Sequence, residues 1–232
     1  MKKKFLSVLT CLGLIFVCLF VATGCDEAPD AKIYVSTAQE LTVAVNNAKD
    51  DAVIVLENNI DVPAQINVNE EITIDLNGHK LYNTNNIWDE ANSQWSIFSV
   101  KENGELTITG NGEIDAKDGD CYAIDVRGGE CTIKNGKITG NVHAIYVHTG
   151  ELEVDGGEFN LKQLSIYDDY RYELNIYDAN NRAGTAKIEV KGGKFYKYDP
   201  SASISENPLA DFIPTGYQSV ADGDYYVVSK IV

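Results

Sequence analysis

The chain has 232 residues and a formal net charge of −16, from 35 acidic against 19 basic side chains. So acidic a chain has no general field to draw nucleic acid or anionic lipid, and arginine, the residue best suited to a phosphate, occurs only at positions 127, 171 and 182. The length suffices for one domain with a substantial core.

Residues 1–24 read as a signal peptide. Lys2, Lys3 and Lys4 form a positive start, and an apolar run extends from Phe5 to Val21. Ala22-Thr23-Gly24-Cys25 resembles a bacterial lipoprotein cleavage box, with Ala22 where such boxes usually carry leucine. The resemblance implies a diacylglyceryl group on Cys25 and a protein exported and lipid-anchored to the bacterial cell membrane, facing outward. Residues 25–32 are then the lipidated cysteine and a polar tether. The alternative is an uncleaved membrane helix, since about 18 apolar residues can span a bilayer.

Residues 33–232 are expected to form one domain. It opens on a short helix over 37–49, with Thr37 as cap, Glu40 completing a capping box, and Leu41, Ala44, Val45 and Ala48 on one face. The helix is expected to cover the open end of a stack of strands. Ala52–Leu56 is an apolar strand, and Ile72–Leu81 is the first clear repeat unit, bent at Asn77-Gly78 with Gly78 free to take positive φ. His79 beside that turn is expected to be structural.

The strongest pattern is a 21-residue step that lays Ala123–Ile138 over Ala144–Phe159 without a gap. Ile124 falls on Ile145, Val126 on Val147, Gly129 on Gly150 and Ile133 on Val154. Each segment alternates at period two, as a strand with one buried face does. Glu105–Ile108 with Gly112–Ile114 is a looser copy before it, and Ala186–Val190 with Gly192–Phe195 one after. Tyr217–Val228 closes the chain as a strand or hairpin turning at Asp222-Gly223-Asp224. Repeats of this kind bury a continuous core only by stacking.

The opening Ile74-Asp75-Leu76-Asn77-Gly78-His79-Lys80-Leu81, the Gly104–Ile108 and Gly150–Phe159 phrases, and the Gly192–Ala202 and Gly216–Val228 close resemble bacterial surface proteins of the pectate-lyase-like, right-handed parallel β-helix superfamily. The resemblance covers most of residues 33–232. It implies an all-β fold: a single-stranded right-handed parallel β-helix, or solenoid, of about five or six rungs behind the capping helix.

Two excursions interrupt the repeat, Tyr82–Trp95 with Trp88 and Trp95, and Asn160–Glu173 with Tyr167, Asp168, Asp169, Tyr170, Arg171 and Tyr172. Both come after a third strand, so both are expected to leave from one edge and wall a binding floor. Alternation sets the floor: one outward column of Ser99, Asp125, Tyr146 and Asn175, another of Lys101, Arg127, His148 and Tyr177. Stacking Lys101 on Arg127 is unexpected in so acidic a protein; Asp125 can neutralise the pair, or the pair can receive a carboxylate or sulfate on a sugar. The next strand carries ordinary solvated charges, such as Lys134 and Asp155.

No cofactor is expected, and no Cys/His spacing suggests a metal. Asp115, Asp118 and Asp120 offer calcium-type oxygens but read more simply as acidic turn residues. Cys131 is a small core hydrophobe; a disulfide to Cys121 is the other possibility. The expected function is non-catalytic binding of a glycan or cell-wall polysaccharide by a monomer anchored through Cys25. The binding residues would be Asp125, Arg127, Tyr146, His148, Lys101, Tyr177, Trp88 and Trp95. A small polysaccharide lyase or glycoside hydrolase, and a structural or adhesion module, are the alternatives.

Overall fold

The computed structural model describes residues 32–49, 51–164, 171–205 and 210–232. In chain order the elements are β1 (Lys32–Val35), α1 (Ala38–Asn46), β2 (Ala52–Leu56), β3 (Ile60–Asp61), β4 (Ile66–Val68), β5 (Glu71–Asp75), β6 (Lys80–Tyr82), β7 (Ser96–Lys101), β8 (Glu105–Thr109), β9 (Glu113–Asp115) and β10 (Tyr122–Ile133). They continue as β11 (Lys137–Gly140), β12 (Ile145–Val154), β13 (Glu158–Leu161), β14 (Leu174–Ile176), α2 (Asp178–Ala183), β15 (Ala186–Val190), β16 (Gly193–Tyr196), β17 (Tyr217–Asp222) and β18 (Tyr225–Lys230). Among the described residues no helix is long and apolar enough to cross a membrane.

The strands assemble into a ten-stranded sheet and an eight-stranded sheet. In the larger one every pair is parallel, with β10 laid against β7 and β8 on one side and β12 on the other. The smaller sheet runs parallel from β3 through β6, β9, β11 and β13 to β16, then turns antiparallel through β18 and β17. Parallel partners are separated in the chain by an intervening helix or strand, as β10 and β12 are by β11, whereas Asp222-Gly223-Asp224, with Gly223 at φ +60°, folds the last two strands back on each other.

The expected single-stranded right-handed parallel β-helix is therefore corrected. The chain is a mostly-β structure of two sheets that differ in order and sense, a curled parallel one and a mixed one. Sheet order and strand sense supply the reason. The larger sheet branches, with β4, β7 and β15 off its main path, and the hairpin adds strands of the opposite sense to the smaller one.

Columns of apolar side chains run between the sheets. Ile74, Ile108, Ile133, Val154 and Val190 are register partners in turn, and all are fully buried. Ile66, Phe98, Ile124, Ile145 and Leu174 form a second column. The smaller sheet contributes Ile60, Leu81, Ile114, Ile138, Phe159 and Phe195, the last two rings stacked at 4.7 Å. Each such side chain stabilises the fold by roughly 1.5–3 kcal/mol through burial. Cys131 sits in a column with Leu106 and Leu152; it and Cys121 are buried free thiols, so no disulfide joins them.

The ends are set by local chemistry. Thr37 caps α1 and accepts from the Glu40 amide at 3.2 Å, while Glu40 Oε2 accepts from the Ser36 and Thr37 amides, so the capping box forms as expected. Leu41, Ala44 and Val45 of this helix are buried in the core. At the bend after β5, Asn77 and Gly78 both take positive φ, 46° and 80°, and the His79 amide donates to the Leu76 carbonyl at 2.7 Å.

Candidate ligand-binding face

The outer face of the parallel sheet is built where β7, β10, β12 and β14 begin. Register places Ser99, Asp125, Tyr146 and Asn175 in one column, as the alternation predicts. Two ring residues beside it were missed: Tyr122, the register partner of Ser96, and His143, which lie two positions before Ile124 and Ile145. The signal was available, because Tyr122 lies one 21-residue step from His143, but the gapless match starts one residue later, at Ala123.

The rings on this face meet. Trp88 packs edge-on to Tyr122 at 5.4 Å, Tyr122 lies 4.9 Å from His143 and 5.7 Å from Tyr146, and His143 stacks on Tyr146 at 5.7 Å. Tyr146 lies 6.5 Å from His148, which stacks on Tyr177 at 4.9 Å with the planes 11° apart. Tyr172 meets His143 edge-on at 5.8 Å. The result is a continuous aromatic band crossing β10, β12 and the end of β14. Trp88 and Tyr177, at its two ends, are 36% and 43% exposed.

Beside the band lies a charged group. The Arg127 guanidinium sits 3.7 Å from the centre of the Trp95 ring and pairs with the Asp125 carboxylate. Asp125 points outward as expected, yet it is fully buried beneath this cover. A buried carboxylate is tolerable here because it is paired; removing one partner of such a pair typically costs about 3–5 kcal/mol. The Lys101 ammonium donates to Ser99 Oγ at 2.7 Å. One expected neighbour pair is corrected. A bulge after Val126 sets Arg127 opposite Thr149 rather than His148, which frees the His148 ring to stack on Tyr177.

The excursion Tyr82–Trp95 is held by Asp120, which reads in the sequence as a turn residue. Its carboxylate is buried and accepts from Asn83 Nδ2 at 2.8 Å, the Ile87 amide at 2.8 Å and the Trp88 amide at 3.0 Å. Those three bonds position Trp88 over Tyr122. Trp95 is tied separately, its amide donating to Gln65 Oε1 at 2.9 Å. Asp115 pairs with Lys80 and Lys162 instead of lining a metal site, and no group of His, Cys, Asp and Glu among the described residues has metal-binding geometry.

The second excursion is anchored by Glu173, whose backbone carbonyl accepts from the Ala144 and Ile145 amides at 3.1 and 3.0 Å. Its fully buried side chain receives Arg171 on Oε1, and Arg171 also donates to Asn160 Oδ1 at 3.0 Å. Oε2 has no hydrogen-bond partner. Burial pushes the Glu173 carboxyl up to about 7, against the opposing pull of Arg171. Tyr167, Asp168, Asp169 and Tyr170 lie outside the described residues, as does Cys25.

The imidazole of His143 has a partner at each nitrogen: Nε2 lies 3.2 Å from Asn175 Nδ2 and Nδ1 lies 3.2 Å from the Tyr172 carbonyl. Burial, with Arg127 adding to it, holds His148 below the usual histidine range. Burial raises the phenols of Tyr122 and Tyr146. The band is thus a series of rings with polar edges. Such a surface can cover the apolar face of a sugar and hydrogen-bond its hydroxyls.

All eight binding residues expected from sequence lie on this face: Asp125, Arg127, Tyr146, His148, Lys101, Tyr177, Trp88 and Trp95. A cavity of about 500 Å³ lies elsewhere, at the glycine turns between the sheets, where Asn111, Asn135, Lys137 and Lys194 line it beside β18. It holds no ring system comparable to the band. No family model, curated protein or solved structure matches the chain.

Glu173 generates a pH dependence. Folded, it titrates at about 7; unfolded, near 4.5. The folded state therefore keeps a proton that the unfolded state releases, and stability is lost as pH rises from about 4.5 through 7. The urea midpoint of the unaltered chain, measured relative to Glu173→Gln, should fall across that window and level off above it. Parallel pH profiles for the two proteins would show that burial does not control this carboxyl.

Proposed function

We propose that this is a lipid-anchored cell-surface protein whose aromatic band binds a glycan or cell-wall polysaccharide without catalysing its cleavage. The observation that carries the binding reading is the unbroken ring series from Trp88 to Tyr177, with neighbouring centroids 4.9–6.5 Å apart along it. Rings aligned over successive strands suit a repeating ligand, because each ring offers an apolar face and a polar edge. Glycosidic cleavage asks for two carboxyl groups flanking one bond. Asp125 and Glu173 are fully buried and each is paired with an arginine, which supports binding over hydrolysis at these two carboxylates.

Anchoring rests on residues 1–25 alone: three lysines, an apolar run and Cys25 directly after Gly24. Expressed in a bacterium fed a labelled fatty acid, the unaltered chain should carry label and the Cys25→Ala chain should carry none. Equal labelling would remove the lipid from this account.

The band predicts a pattern in a glycan-binding assay. Tyr122→Ala and Tyr146→Ala should each weaken binding by about tenfold, the equivalent of roughly 1.4 kcal/mol, with little change in the unfolding midpoint. Lys134→Ala and Asp155→Ala, on the neighbouring strand segments, should leave binding alone. If the two pairs behave alike, or every binding change tracks a stability change, the band is not the binding surface.

A further inference from the structure

We infer that the ligand of the aromatic band carries an anionic substituent, a carboxylate or a sulfate on a sugar ring, and that the Lys101 ammonium receives it. The inference rests on the glycan reading above and narrows it to a chemical class.

Two cations, Lys101 and Arg127, are register partners on adjacent strands β7 and β10. The one carboxylate in their columns, Asp125, forms its ion pair with Arg127. Lys101 bonds to a neutral hydroxyl, Ser99 Oγ, and makes none of the ion pairs found among the described residues. Several other lysines behave differently. Lys80 pairs with Glu113 and Asp115, Lys162 with Asp115, Lys187 with Glu151 and Glu189, and Lys191 with Glu153 and Glu189. In a chain of net charge −16, carboxylates are abundant, so a half-buried ammonium served only by a hydroxyl stands out.

The arrangement costs energy in the free protein. Burial, only partly offset by Asp125 and deepened by Arg127, holds Lys101 below the usual lysine range. An incoming anion would relieve that cost. It would meet a cation already partly stripped of water, and a charge-assisted hydrogen bond is about twice as strong as a neutral one. Location points the same way. Arg127, the register partner of Lys101, is stacked on Trp95 and paired with Asp125, whose register partner on β12 is Tyr146 of the band. A sugar stacked on the band would therefore bring a substituent within range of the lysine. Asp125 cannot take that role for both cations, since its carboxylate is buried under Arg127.

The test uses the full chain purified in detergent and an array of neutral oligosaccharides printed beside counterparts of the same backbone bearing uronate or sulfate. The acidic members should bind best, and carboxyl-reduced or desulfated forms of the best ones should bind about tenfold more weakly. Lys101→Gln should lower the acidic forms to the level of the neutral ones while leaving the neutral ones unchanged. Tyr146→Ala should weaken both. The array itself separates carboxylate from sulfate, because each is present on the same backbone. Equal binding of acidic and neutral counterparts, or an acid preference that survives Lys101→Gln with the unfolding midpoint unchanged, would overturn the inference and leave the glycan reading standing. Absence of binding to every sugar would overturn both.

Discussion

Backbones of successive repeats touch at one corner of the parallel sheet, and the rest of the structure depends on that contact. A Cβ on Gly129 would lie 2.2 Å from the carbonyl oxygens of Gly104 and Lys101, and one on Gly150 would lie 2.1 Å from the Gly129 carbonyl. Such distances leave room for hydrogen and nothing larger, so each of these positions must be glycine. With the corner closed, Glu105, Glu130 and Glu151 align, and the apolar columns behind them fall into place residue by residue. The same stacking brings the rings of Tyr122, His143 and Tyr146 within 4.9–5.7 Å of one another on the outer face. Core and candidate site are two faces of one stacking decision.

Polar groups then convert a stacked sheet into a shaped surface. Asp120 gathers three donors and turns a long excursion into a fixed wall carrying Trp88. Asp125 accepts the charge of Arg127 and so lets a guanidinium lie flat against Trp95. These two carboxylates are buried because their partners cover them, and their partners are placed because the carboxylates are there. The bulge after Val126 performs a smaller adjustment, aiming His148 at Tyr177 instead of Arg127. An acidic chain thereby presents one ring-lined face with an under-neutralised lysine at its side.

Much of this was legible from residue patterns, and the failures have physical causes. Period-two alternation identified the inward residues Ile124, Val126, Ile133 and Val154, all fully buried, because a half-buried strand writes its burial into its sequence. The Thr37–Glu40 capping box was equally plain. Overall architecture was not, because a repeat read as one coil does not specify how the larger sheet branches or that the last two strands run antiparallel. The branching and the antiparallel return through β18 depend on connections with no repeat to guide them. Within the site, alternation gave the direction of Asp125 but not its burial, which comes from Arg127 folding back over it. Asp120 looked like any acidic turn residue, since its three partners lie more than thirty positions away. Tyr122 and His143 fell just outside the gapless 21-residue match that carries their neighbours.

The contact at Gly129 offers the most direct test, because its backbone is outside the left-handed region and an added methyl would report only the lack of space. The measurement is the urea unfolding free energy of Gly129→Ala against the unaltered chain. Two backbone oxygens at 2.2 Å cannot both give way without separating the strands, so the account predicts a loss of about 2 kcal/mol or more. An unchanged unfolding free energy would contradict the close stacking of the repeats, and with it the placement of the aromatic band.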